Sequence, residues 1–296
     1  MEKVMRISNL SKLGCAALLL CVSPAVLAEW VGNADVGIRH DSNINNAQVR
    51  DNIVSISVLS AGVSETGFFP LENGSSLSIT GETRGEAFDH YTGLNNASLG
   101  AEFSFRKKWA LGAYAPWTGL SLSSTYFNFA NNVRNGWRNQ IALRGGKRIF
   151  EQWDVRAEYM AERRTADALQ PDQPGISGDV FSQTSRTITL NAEYTLNDTT
   201  FLMFGSLLRH GDVVASTMET QKIILSSQAI AVDPVFGPGF YAYRMTGTTY
   251  GLNADINFAV TPSSVLRASI SRQLTHTQGD NNYGKSVQML SWNYNF

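Results

Sequence analysis

From residue 29 onward, apolar and polar positions alternate with a period of two in segments of about ten residues. Leu77, Ile79 and Gly81 hold one parity against Ser78, Thr80 and Glu82. Leu99, Ala101, Phe103 and Phe105 oppose Glu102, Ser104 and Arg106, and Ile141 and Leu143 oppose Gln140 and Arg144. Trp153, Val155, Ala157 and Tyr159 oppose Asp154, Arg156, Glu158 and Glu162. Ile188, Leu190, Ala192 and Tyr194 oppose Thr189, Asn191 and Glu193, and the alternation returns from Tyr250 to Phe258. A period of two puts one set on each face of a sheet. After residue 28 no apolar run approaches the length of a membrane-spanning helix.

The connections fall into two classes that alternate along the chain. Short turns are expected near Pro70 to Gly74, Pro116 to Gly119, Phe150 to Gln152, Asn197-Asp198 and Thr261 to Ser263. Longer loops are expected near Asp41 to Asn52, Asp89 to Asn96, Asn131 to Gly136, Thr165 to Asp179, Gly211 to Gly239 and Gln278 to Asn282. Tight turns below and long loops above are the pattern of an all-β, transmembrane, antiparallel up-and-down barrel. Five turns and six loops join about twelve strands and leave both ends on the periplasmic side.

Aromatic residues cluster where strands end, the depth that interfacial rings prefer. Trp30, Phe68, Phe69, Trp109, Tyr114, Trp117, Phe150, Trp153, Phe201 and Phe296 mark a lower rim. Tyr126, Phe127, Phe129, Trp137, Phe181, Tyr241 and Tyr243 mark an upper one. In the last segment Leu290, Trp292, Tyr294 and Phe296 share a face. This resembles the C-terminal strand by which outer-membrane proteins are recognised by the barrel assembly machinery. The resemblance implies the bacterial outer-membrane β-barrel class, with small porin-like channels of this strand number among its members. Two places strain the pattern: Lys107 shares the lipid-facing parity of Phe105 and Trp109, and Phe201 to Phe204 is apolar on both faces.

The first 28 residues read as a cleaved signal peptide, with the barrel as one domain from 29 to 296. Lys3, Arg6 and Lys12 precede an apolar stretch from Leu13 to Val26, and Val26-Leu27-Ala28 supplies the small residues of a cleavage site. Both cysteines, Cys15 and Cys21, lie in this leader, so the expected mature chain has no disulfide, thiolate metal site or cysteine nucleophile. The whole chain holds 24 basic and 25 acidic residues; removing the leader's three basic residues and Glu2 leaves a net charge of −3. There is no basic excess of the kind nucleic-acid binding requires. No phosphate loop, metal cluster or nucleotide motif is present, and no cofactor is expected.

Assigning the polar parity to the interior gives a mixed-charge lumen. Its expected basic lining is Arg39, Arg84, Arg138, Arg144, Arg148, Arg156, Arg164 and Arg267. Its acidic lining is Asp35, Glu82, Glu86, Glu102, Asp154, Glu158, Glu162, Glu193 and Asp255. Arg138, Arg144 and Arg148 should face Asp154, Glu158 and Glu162 across neighbouring strands. Segregated acidic and basic walls would set up a transverse field in a water-filled pore; paired charges would knit the lumen shut. The expectation is an outer-membrane channel for passive diffusion of small polar or charged solutes, surrounded by outer-membrane lipid and lipopolysaccharide. By analogy of architecture alone, barrels of this size include oligosaccharide and nucleoside channels. The loop from Gly211 to Gly239 carries Lys222-Ile223-Ile224-Leu225 and Ala229-Ile230-Ala231-Val232, too much apolar surface for free solvent. A constriction at the pore mouth, a partner contact or a protruding hairpin would each account for it.

Two other roles have a residue-level motivation. His40-Asp41-Ser42 has the His-x-Ser spacing of outer-membrane phospholipases and lipid A deacylases, which would make His40 and Ser42 catalytic; no third orienting residue is evident. A strand-to-loop transition also contains such residues. Asp41-Ser42-Asn43-Ile44-Asn45-Asn46 after an alternating strand resembles the start of barrels in surface lipoprotein assembly modifiers and exopolysaccharide exporters. That resemblance implies polymer or lipoprotein export with a separate periplasmic partner. The favoured reading is a channel and not an enzyme.

Overall fold

The computed structural model describes residues 29–168, 176–279 and 281–296. The expected leader, residues 1–28, lies outside the described residues, as does the middle of the loop after Thr165. The alternating segments form strands β1 (Glu29–Asp41), β2 (Ile56–Pro70), β3 (Ser75–Phe88), β4 (Asn96–Lys108), β5 (Trp117–Phe129) and β6 (Gly136–Phe150). They continue as β7 (Trp153–Ala166), β8 (Gln183–Asn197), β9 (Thr200–Met218), a short β10 (Ala229–Val232), β11 (Phe240–Thr261), β12 (Ser264–Thr277) and β13 (Tyr283–Asn295). Each long strand pairs antiparallel with its neighbour, β9 pairs β11, and β13 pairs β1 from Asn33 opposite Asn295 to Asp41 opposite Val287. Twelve strands therefore close a barrel, and β10 is an addition outside the ring.

The outer face carries the apolar parity. Leu59, Leu99, Leu143, Leu190, Leu252 and Ile270 are all more than half exposed. A water-facing surface of that extent would aggregate, whereas bilayer hydrocarbon covers it at no cost. The terminal row of Trp292, Tyr294 and Phe296 stacks along this face, with ring centroids 5.8 and 6.3 Å apart. Phe296 lies over Gly32, and its backbone exchanges hydrogen bonds of 3.0 and 2.9 Å with that residue, so the chain's last residue completes the seam. Lys107 sits at the lower end of β4, where its ammonium donates to the Asn73 carbonyl, so its lipid-facing parity falls at the rim.

Two local expectations are corrected. The turn placed at Pro116 to Gly119 lies at 109–116: Trp117 to Gly119 already pair with Gly146 to Arg144, and Pro116 only ends the turn, accepting the Trp109 amide. A proline with no N–H to donate fits just before a strand as well as within a turn. Several aromatic residues assigned to the lipid interface also point elsewhere. Trp117, Phe127 and Phe129 share the inward parity of Ser121, Ser123 and Thr125. Phe181 is buried in a loop core, and Tyr243 is 1% exposed. Among the expected upper ring, Tyr126 and Trp137 pack against each other across β5 and β6, with centroids 5.3 Å apart.

Strands β9 and β11 are longer than a membrane crossing needs, at 19 and 22 residues. β8 leaves the ladder at Ser185 opposite Gly211, and β12 leaves it at Thr277 opposite Gly247. Above that level β9 and β11 continue as a pair, and β10 adds to the free edge of β11 through residues 241–244. A one-and-a-half-turn helix, α1 (Gln221–Ser226), precedes β10 and is capped by the Thr220 hydroxyl, which accepts from the Ile223 amide.

Candidate permeation path and its lid

The register of every neighbouring pair places all the expected pore-lining residues on the inward parity. Arg39 lies opposite Val58, itself opposite Phe88; Arg84, Glu82 and Glu86 follow on β3, and Glu102 lies opposite Thr80. Arg138, Arg144 and Arg148 stand opposite Arg164, Glu158 and Asp154, with Arg156 opposite Gly146 and Glu162 opposite Gln140. Glu193 lies opposite Asp154, and Asp255 and Arg267 occupy the same face of β11 and β12.

These groups are interleaved and mostly paired, not sorted into opposed walls. Arg84 meets Asp35 at 2.6 Å across β2, where Gly62 leaves the room: a Cβ there would lie 2.8 Å from the Asp35 carboxylate. Arg144 bridges Glu158 at 2.6 Å and Glu102 at 3.5 Å. Arg148 pairs with Asp154, Arg156 with Glu193 and Arg267 with Asp255, at 3.1, 3.2 and 3.1 Å. Arg39 reaches Glu86 at 3.4 Å. Arg138 does not take Glu162, as the spacing suggested; Gln140 does, at 2.7 Å, and Arg138 lies over the Phe127 ring at 4.7 Å. Most of these pairs are part-exposed to the lumen, where each contributes roughly 0–1 kcal/mol. They narrow the lumen, while the continuous backbone ladder holds the barrel.

Among the described residues, two chambers lie inside the barrel. The lower has a volume of about 520 Å³ between Arg106, Trp117, Arg144, Asp154, Arg156 and Glu158. The upper has about 470 Å³ and is roofed by residues the sequence assigned to external loops, among them Ile44, Asn45, Leu94, Val214 and Phe236.

That roof is the β9–β11 extension folded across the mouth. β3 and β4 stand diametrically opposite β9 and β11 in the ring of twelve. Yet Phe236, between β10 and β11, packs on Tyr91 of the β3–β4 loop with centroids 5.3 Å apart, in a cluster with Leu94, Phe88, Ile56 and Val58. The β1–β2 loop docks on the edge of β9: the Ser216 amide donates to the Asn45 carbonyl at 2.7 Å, and the Asn45 and Asn46 side chains donate to the Ser216 and Val214 carbonyls. The Ile230 amide donates to the Ser177 carbonyl of the β7–β8 loop, and Arg134 of the β5–β6 loop pairs with Asp233 at 2.5 Å. The apolar runs flagged in the sequence are absorbed here, with Ile223 and Ile230 packing on Val213, Ala215, Tyr243 and Met245. The loop thus packs over that end of the barrel, against the β3–β4 and β5–β6 loops, and does not stand free of it as a protruding hairpin. Burial pushes the Tyr243 hydroxyl above its usual range, so it stays neutral inside the lid.

Arg134 and Asp233 carry no alternation signal and were not expected. Their only sequence mark was a charged residue within each of two loops. The two residues of the alternative hydrolase reading are bonded elsewhere: His40 is within 3.3 Å of the Ser57 hydroxyl and 3.1 Å of that of Ser55, while the Ser42 hydroxyl accepts the Ser286 amide. Among the described residues no group of three metal-ligating side chains converges.

No protein-family profile matches the chain. No curated protein matches it by sequence. Among solved structures, an outer-membrane channel from Pseudomonas putida F1 superposes with a TM-score of 0.60 at 12% identity, covering 93% of this chain and 100% of that one. The outer-membrane channel DcaP of Acinetobacter baumannii gives 0.45 at 6% identity, covering 91% and 97%, and the NanC porin gives 0.42 at 10%, covering 88% and 98%. At such identities the likeness concerns architecture, and with the closed ring of twelve it establishes the fold as that of an outer-membrane β-barrel.

Proposed function

We propose that this chain is an outer-membrane channel for passive diffusion of small polar or charged solutes, with its external mouth capped by its own β9–β11 lid. The observation that carries the reading is the inward face: charged and polar side chains interleaved with aromatic ones, enclosing chambers of about 520 and 470 Å³, within an apolar outer wall. A barrel whose only task were anchoring would need neither the space nor the charge. The polar lining passes hydrated solutes and disfavours apolar ones. Lipopolysaccharide and bilayer lipid would contact the wall, and the assembly machinery would read the terminal aromatic row. The chain is read as having no enzymatic role.

Planar-bilayer recording on refolded protein tests the proposal. Stepwise currents, brief in the native chain and sustained once the lid is removed, are expected. A folded barrel that stays silent in both forms would rule the channel out.

A further inference from the structure

The upper chamber is lined by more cations than carboxylates, even with Glu162, which acts on Arg164 from two residues away on the same face, counted beside Glu86. Arg39, Arg134, Arg164, Arg209 and Lys285 line it, against Glu86 as the lining carboxylate. Three of these cations have acidic partners: Glu86 for Arg39, Asp233 for Arg134, and Asp41 for Lys285 at 3.6 Å. Arg164 and Arg209 instead donate to backbone carbonyls, those of Arg134 and Asp212, each at 2.7 Å. A carbonyl satisfies an N–H and neutralises nothing.

Beside them Arg138 stands directly opposite Arg164 on the neighbouring strand, a like-charge pairing that destabilises a sheet unless something negative sits between. The Nε atoms of Arg134, Arg138 and Arg164 are all buried with no acceptor in the structure. Buried donors without partners are rare in folded proteins, and an ordered water or a ligand group is what meets them.

Ring stacking is the competing explanation. Arg138 lies 4.7 Å from the Phe127 ring, Arg164 5.5 Å from Phe129, and Arg134 4.4 Å from Phe181. Those contacts orient the guanidinium planes. A ring face neither compensates net charge nor accepts an in-plane N–H. The rings also give the chamber an apolar side, with Phe88, Phe129, Phe181, Phe236 and Leu207 on its wall. Its volume of about 470 Å³ falls in the usual range for small-ligand sites, roughly 300–1,000 Å³.

We infer that the chamber beneath the lid is a binding site for a small organic anion: a carboxylate held by Arg164 and Arg209, on an aromatic body packed against the phenylalanine wall. Guanidinium forks match a carboxylate in two parallel hydrogen bonds. The assignment deepens the channel reading by naming the solute class, but retention in the chamber does not require current.

The test is equilibrium dialysis of the full barrel refolded in the presence of each probe, so that the lid does not limit access. The probes are radiolabelled benzoate, its neutral isostere benzamide, and inorganic phosphate. Benzoate should be retained and benzamide not. Arg164→Gln and Arg209→Gln should each weaken benzoate retention about tenfold while the barrel keeps its heat-modifiable gel mobility. Equal retention of benzamide, unchanged retention in both variants, or no benzoate retention by folded protein would each overturn the site. Phosphate held as tightly as benzoate would overturn its aromatic half. Bilayer currents from the same preparations separate the two claims: current without benzoate retention removes the site and leaves the channel, and retention without current does the reverse.

Discussion

The Asp233 carboxylate is fully buried in the lid, where it accepts from Arg134 on the far side of the mouth and from the Ser216 hydroxyl on β9. Removing one partner of such a pair leaves an uncompensated buried charge and costs about 3–5 kcal/mol. The lid can escape that cost by opening. Asp233→Ala should therefore speed amide exchange in Ala229–Val232 by about a hundredfold, the equivalent of about 3 kcal/mol, and lengthen open times in bilayers. Replacing both partners with apolar side chains, Arg134→Met with Asp233→Leu, should keep the lid shut, because no orphan charge remains. Protection unchanged in Asp233→Ala would show that the apolar clusters alone hold the mouth. Lower in the lumen, Arg144 and Arg148 face Glu102, Glu158 and Asp154. Reversing both, Arg144→Glu with Arg148→Glu, should shift reversal potentials toward cation selectivity, and unchanged selectivity would place the path elsewhere. The inward parity of these residues was legible because side chains alternate strictly along a strand. Their partners were legible only between consecutive strands. Arg134 and Asp233 are 99 residues apart in two loops, and no periodicity links them.

Among the elements, the level at which the lid ribbon leaves the wall holds backbone that only glycine supplies easily. Gly211 has φ +144°, and a Cβ there would lie 2.3 Å from the Thr184 carbonyl oxygen. It sits at the last β8–β9 pairing, opposite Gly247 on β11, the level at which the ribbon's outer neighbours stop. Gly211→Val should cost about 1–3 kcal/mol of local strain and release the ribbon. Limited proteolysis would then cut within 219–239 at a protease dose that leaves the native chain intact; equal resistance would put the hinge elsewhere. The twelve wall strands were legible because each has lipid on one side and lumen on the other. Within the lid both faces of β9, β10 and β11 are covered, as the burial of Ala215, Ser216, Thr217, Ala229, Ile230 and Ala231 shows. Two covered faces erase alternation, and β10 therefore read as an apolar loop. Phe127, Phe129 and Phe181 were misplaced for a related reason. An aromatic residue near a strand end signals an interface, but a capped lumen has an apolar interface on its inside as well.

For the whole molecule, the wall and the lid are separable. The ladder from β1 around to β13 closes without any residue of 219–239, and Met218 already pairs with Phe240 at the top of the ribbon. Replacing 219–239 with Asn-Gly would join those two positions by the turn that suits a two-residue hairpin. The variant keeps every wall pairing, so its heat-modifiable mobility and strand signal in circular dichroism should match the native barrel. It loses Asp233, Phe236 and β10, and with them the contacts that tie the ribbon to the β3–β4, β5–β6 and β7–β8 loops. If the lid is the gate, conductance should become continuous and rise severalfold, while selectivity, set by the lumen below, should stay as in the native open state. If the ion pairs around Arg144, Arg148 and Arg267 are what closes the path, the variant should fold and remain silent. These outcomes assign closure either to a movable element above the membrane or to the permanent wall within it, and only the first is compatible with a channel.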